Sequence, residues 1–211
     1  MRAMQPNDQP QVSQAPQPHN TPDPNNPNNN PYLGLVRLSM FAALIAVMGF
    51  IPKLDLPFLA GVPITVQTLG VMMAGLFLGA RQGALAVLLF IFVVCLGAPF
   101  LSGGRGGLGV LFGPTAGFLI GWVIGAFLVG LIFHNLRKIG VRLYWAALVA
   151  CLIGGIAGIY LPGIPWLSWR AGMPLDKAAL VSLAFVPGDV IKAFVAAWLA
   201  RQLERELPKL N

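Results

Sequence analysis

The feature that most constrains this chain is a succession of long apolar runs, nearly free of charge, from about residue 32 to residue 200. A bilayer core of about 30 Å is crossed by a helix of about 20 apolar residues. The runs supply about six such lengths: 32–51, 64–78, 83–96, 114–133, 143–160 and 178–200. Hydrophobic residues make up 56% of the chain and charged residues 10%, where soluble domains carry roughly 25% charged. A soluble fold of this size cannot hide so much apolar surface, whereas lipid accepts it. The pattern predicts an all-α integral membrane bundle of six transmembrane helices.

The punctuation between the runs supports the same division. Pro52 closes the first run, Gly97 and Pro99 the third, and Pro162 the fifth. Only Gly79 to Gln82 separate the second run from the third, which predicts a tight helical hairpin. Those two runs are short for full spans and call for tilt or local thinning of the bilayer. Residues 1–31 are of a different kind, with Pro22, Pro24, Pro27 and Pro31 interleaved with asparagines. Such a stretch buries too little apolar area to offset its chain entropy and is expected to be disordered. It lacks the basic and apolar regions of a signal peptide, so the first helix is the expected insertion signal. The expected division is a disordered tail over 1–31, a membrane domain over 32–203 and a short tail over 204–211.

The formal net charge of +7 reports topology rather than nucleic-acid binding, because the lysines and arginines stand singly between apolar runs instead of clustering on one face. With six spans, Arg2, Arg37, Arg81, Arg137, Lys138, Arg142, Arg201, Arg205 and Lys209 fall on one side. Lys53, Arg105, Arg170 and Lys177 fall on the other. The positive-inside rule then places both termini in the cytoplasm of a multi-pass protein of the cell inner membrane. The turn around Arg105 faces outward. Cys95 and Cys151 both lie in apolar runs, where cysteine behaves as a small hydrophobe, with one disulfide as the alternative.

Small residues recur four apart: Gly117, Gly121 and Gly125, Gly75 and Gly79, Gly154 and Gly158, and Ala42 and Ala46. Such stripes let helix backbones approach closely where lipid supplies no hydrophobic drive between helices.

Two constellations carry chemistry. The first is Pro187-Gly188-Asp189-Val190-Ile191-Lys192, which opens or kinks the sixth run. Asp189 and Lys192 are three apart and share a helix face. A charge at mid-membrane costs about 2.5–3.5 kcal/mol on insertion scales and needs a partner or water. The pair either locks the bundle or faces a ligand. The second is Ser102-Gly103-Gly104-Arg105-Gly106-Gly107-Leu108-Gly109, followed by Gly113-Pro114-Thr115. Gly104 and Gly106 flank an arginine whose planar fork suits a carboxylate. The loop lacks the Gly-Lys-Ser/Thr ending of a phosphate-binding P-loop. Thr65, Gln67 and Thr68 stand just inside the second run, either as capping and interhelical hydrogen-bonding groups or as pocket lining. Tyr160, Trp166 and Trp169 flank the fifth loop as interfacial anchors, and one of them could cover a bound ring. There is no nucleophile with a base, no paired carboxylates and no Walker motif, so the reading is a binding protein, not an enzyme, with no metal and no cofactor.

The runs GVPITVQTLGVMMAGLFLGARQGALAVLLF and GGRGGLGVLFGPTAGFLIGW, with the PGDVIK segment, resemble the BioY family across about residues 34–203. Members are the biotin-binding S components of transporters of the energy-coupling-factor (ECF) type. The resemblance implies a six-helix S component that binds biotin in an outward pocket, with Arg105, Asp189 and Lys192 as polar contacts. It also implies docking to a transmembrane coupling subunit through the stripe of Ala42 and Ala46, with ABC-type ATPase subunits beyond it. The alternatives are an S component for another small vitamin and, in a different class, an integral-membrane enzyme or assembly factor.

Overall fold

The computed structural model describes residues 31–51 and 65–206. The expectations for 1–30, for Lys53 and for the last five residues lie outside the described residues. The described residues from 34 onward form one compact unit. The described part is all-helical: α1 (Pro31–Met48), α2 (Gln67–Cys95), α3 (Ala116–Lys138), α4 (Leu143–Ala150), α5 (Gly158–Ala171), α6 (Leu175–Leu183) and α7 (Val186–Glu206). A 3-10 turn over Leu108–Leu111 precedes α3, and a π-helical segment over Cys151–Ala157 joins α4 to α5 without a break.

Straight, the 29 residues of α2 would hold their ends about 42 Å apart at 1.5 Å per residue. Instead Gln67 at its start bonds the carbonyl of Phe100 just past its end, at 3.0 Å. The chain folds back at Gly79, whose φ of 79° and ψ of 179° belong to a region essentially restricted to glycine. A Cβ on Gly83 would lie 2.7 Å from the carbonyl oxygen of Ala74, so the two arms touch backbone to backbone. The expected hairpin is present, and its turn is tighter than expected: helical bonding resumes directly after Gly79. The arms, 67–78 and 80–95, are about 18 and 24 Å long.

α1 lies antiparallel on the first arm, with Phe41 stacked on Phe77 at a ring separation of 6.0 Å and Ile45 against Gly70. α3 runs beside both arms and meets α5 through its glycine face: a Cβ on Gly121 would lie 2.4 Å from the carbonyl oxygen of Ile159. α4 and α7 pack through Ala147, Ala150, Ala193, Ala196, Ala197 and Ala200. Close backbone approach and dispersion hold these contacts, as expected where lipid provides no hydrophobic drive.

One expected boundary is corrected. The fifth run does not stop at Pro162: the helix continues through Pro162 and Pro165 to Ala171. Prolines persist inside membrane helices when neighbouring helices accommodate the freed backbone groups. Here the carbonyl of Pro162 lies against Gly117 of α3. The sixth run is kinked near Pro187, as expected, into α6 and α7 at 46°, with Pro187 in the first turn of α7, where its missing N–H costs nothing. Both cysteines are free, Cys151 buried and Cys95 half-buried.

By length and composition Ala116–Lys138 and Leu143–Ala171 can each cross a membrane, as can the bent α6–α7 pair taken together, whereas the equally apolar Gln67–Cys95 is divided by its reversal at Gly79 into two shorter arms. Leu96, Leu161 and Leu180 are each more than 70% exposed, which suits acyl chains rather than water.

Candidate substrate-binding site

The site is built at the junction of two helix N-termini. Asp189 lies in the first turn of α7 and Thr68 in the first turn of α2. The unpaired N–H groups and dipoles at such ends favour a negative charge. The Asp189 carboxylate is buried and holds three donors. Thr68 Oγ1 donates to Oδ1 at 3.0 Å, Lys192 Nζ to Oδ1 at 2.8 Å and Tyr160 Oη to Oδ2 at 2.6 Å. Lys192 also donates to Thr68 Oγ1 at 2.9 Å, which turns the hydroxyl toward the carboxylate. The cluster is neutral overall and densely hydrogen-bonded, as a buried ion pair must be. A carboxylate offers about four acceptor positions, so one remains for a ligand donor.

This cluster forms one wall of a cavity of about 80 Å³, several times the roughly 10–15 Å³ that a single water requires. Apolar and aromatic side chains line its flanks: Phe118, Leu119 and Trp122 from α3, Ile159 from α5, and Phe185 at the α6–α7 bend. Arg105 and Ser102 supply another wall from the loop after α2. That loop is pinned by an antiparallel bridge between Leu101 and Arg105. Arg105 Nε donates to the Ser102 carbonyl at 3.3 Å, and Nη1 reaches Thr115 Oγ1 at 3.5 Å. Gly106 is required by a close approach, because a Cβ there would lie 2.3 Å from the carbonyl oxygen of Ala98. The arrangement suits a small molecule with hydrogen-bonding groups at both ends and an apolar body between them.

The three principal sequence-predicted residues, Arg105, Asp189 and Lys192, therefore line one cavity. Thr65 lines it too. Gly104 and Gly106 instead line an outer cup with Arg105 and Thr115. Gln67 borders the cavity but is fully buried, with its amide spent on backbone. It donates to Ile45 O and Phe100 O and accepts from Ser102 N. It neither caps α2 nor has a donor to spare, and it ties α1 to the loop that carries Arg105.

Two expectations are corrected. Trp166 does not cover the cavity: its indole donates to the Gly113 carbonyl at 3.0 Å, and it packs on Gly117, whose missing side chain makes the room. Tyr160 is not an interfacial anchor but a buried donor to Asp189. Of the pair Ala42 and Ala46, Ala42 is buried beside Phe41 and Ile45, and Ala46 is half-buried against the same core. The direct partners of Asp189 that sequence spacing could not assign are Thr68 and Tyr160, which lie 121 and 29 residues away.

Comparison with known proteins agrees with this geometry. Residues 25–209 match the BioY family. The chain belongs to that family. It is 48% identical over 179 residues to the biotin transporter BioY of Rhizobium etli, covering 83% of this chain and 95% of that one. It is 46% identical over 180 residues to the biotin transporter BioY of Rhodobacter capsulatus, covering 81% and 93%. Its fold matches a crystal structure of the S component for biotin from an ECF-type ABC transporter, with a TM-score of 0.78 and 32% identity, covering 84% of this chain and 94% of that one. BioY proteins are transport components, not enzymes, and this chain is a multi-pass membrane protein.

Proposed function

We propose that this protein is the biotin-binding subunit of an ECF-type uptake system of the cell inner membrane, and that biotin occupies the cavity between Asp189 and Arg105. The observation that carries this reading is the cavity itself. It has a hydrogen-bonded acid–base cluster on one wall, an arginine on another and aromatic flanks between. Biotin has matching parts: a ureido ring with donors and an acceptor, an apolar sulfur ring and chain, and a carboxylate.

The chain has no Walker motif, so active uptake calls for ATPase subunits and a transmembrane coupling subunit as partners. An orientation with both termini in the cytoplasm is supported by the placement of the cations. Arg137 of α3 pairs with Glu204 of α7 at 3.2 Å, and the hairpin turn of α2 abuts Gly130 two turns from that end. Arg81, Arg137, Lys138, Arg142 and Arg201 thus gather at one end of the bundle, whereas Arg105 and Arg170 hold the loop at the other.

Equilibrium binding of labelled biotin to the purified chain tests the proposal. Saturable binding at micromolar biotin or below is expected, strongly weakened by Asp189→Asn and by Arg105→Ala with both variants still inserted. Absence of binding in the unaltered protein, with a thermal shift from another vitamin instead, would overturn the substrate assignment, since only a ligand preferring the folded state raises its stability.

A further inference from the structure

Ser102 stands between Gln67 and Arg105 in the loop wall of the cavity. Its backbone is fixed on both sides: its N–H donates to Gln67 Oε1 at 3.1 Å, and its carbonyl accepts from Arg105 Nε at 3.3 Å. The residue is 1% exposed, yet its Oγ has no hydrogen-bond partner among the described residues. Buried polar groups are satisfied in the large majority of cases, and each exception calls for an explanation. Ser102 lines the same cavity as Asp189, Lys192 and Arg105. The other buried polar groups there are already engaged, with Gln67 on backbone and Thr68 on Asp189.

We propose that Ser102 Oγ is a ligand-contacting group, completed only when substrate binds, and that it donates to the substrate carboxylate alongside Arg105. This assignment rests on the biotin-binding reading. The end of the substrate follows from charge. At the far wall the cation of Lys192 is already spent on Asp189, and a second carboxylate beside Asp189 would be repelled. The Ser102 turn instead offers a hydroxyl donor beside a guanidinium, the combination that holds a carboxylate. A hydroxyl carried on a backbone already held before binding adds specificity at little entropic cost.

Three measurements on the purified full chain decide the matter. Ser102→Ala is expected to weaken biotin binding about tenfold or more, the usual effect of removing one hydrogen bond to a charged group. It should leave unchanged the affinity for an analogue whose chain ends in methyl in place of the carboxylate, measured by displacement. The ligand-free variant should melt at or above the unaltered protein, because no native partner is lost. Unchanged biotin affinity, equal weakening for both ligands, or a lower Tm without ligand would each overturn the assignment. If the unaltered protein binds biotin and only the variant result fails, the Ser102 assignment falls alone. If the unaltered protein does not bind biotin, the reading beneath it falls as well.

Discussion

At the scale of single residues, Asp189 presents the sharpest energetic problem. Its carboxylate is buried in a chain built for lipid, and three donors hold it. Removing one partner of a buried ion pair typically costs about 3–5 kcal/mol, because the remaining charge is stranded, while replacing both is often neutral. Lys192→Met is therefore expected to destabilise the ligand-free protein by about that amount, and the double variant Lys192→Met with Asp189→Asn to recover most of it. Denaturant unfolding in detergent measures both, and a double variant as unstable as the single would show that charge compensation is not what Lys192 provides. Tyr160→Phe removes the 2.6 Å bond to Oδ2. Loss of a hydrogen bond to a charged group costs about 1.5–3 kcal/mol, read as a lower Tm that excess biotin only partly restores. The Asp189–Lys192 pair is legible in the sequence because three-residue spacing fixes a shared helix face. Thr68 and Tyr160 are not, because nothing local says which distant helix end will meet the carboxylate.

At the scale of elements, glycine does two separable jobs that sequence alone does not distinguish. Gly79 is needed for its backbone angles: nothing lies within 4 Å of where its Cβ would be. Gly121 is needed for space, its absent Cβ lying 2.4 Å from the backbone of α5. Gly79→Ala is expected to cost about 1–3 kcal/mol through conformation alone. Gly121→Leu should separate α3 from α5 and abolish biotin binding, since Phe118 and Leu119 of α3 and Ile159 of α5 flank the cavity. Unfolding and binding measured on both variants separate the two cases, and retained binding in Gly121→Leu would contradict the close contact. The apolar runs, the hairpin and the bend before Pro187 are all readable from period and punctuation. The passage of α5 through Pro162 and Pro165 is not, because it depends on α3 lying against the carbonyl of Pro162. The alanine stripe of α1 is limited for a related reason: spacing identifies a face that admits a neighbour but not which neighbour, and the core of this same chain takes Ala42.

At the scale of the molecule, the two ends differ in chemistry. One gathers exposed cations from the α2 turn, the α3–α4 junction and the end of α7, and the other carries a glycine-rich loop over an apolar-flanked cavity. Two clasps hold that loop to α5. Trp166 Nε1 donates to Gly113 O at 3.0 Å, and Arg170 Nε donates to Phe112 O at 2.9 Å. Two consequences can be measured together. In a background with Cys95 and Cys151 replaced by alanine, an impermeant thiol reagent applied to intact spheroplasts should label Leu108→Cys, which is 65% exposed in the loop. It should spare Lys138→Cys, exposed at the cationic end, until the membrane is opened. The reverse pattern would invert the orientation assigned from charge. Loosening the loop with Trp166→Phe and Arg170→Gln, which keep bulk but remove the two bonds, should speed biotin release more than it slows capture. A neutral hydrogen bond contributes about 0.5–1.5 kcal/mol and one from a charged guanidinium about 1.5–3 kcal/mol, so losing both predicts release faster by roughly thirty- to two-thousandfold if they act together. An unchanged release rate with slower capture would mean that the clasps shape the entrance to the cavity rather than retain what is inside it.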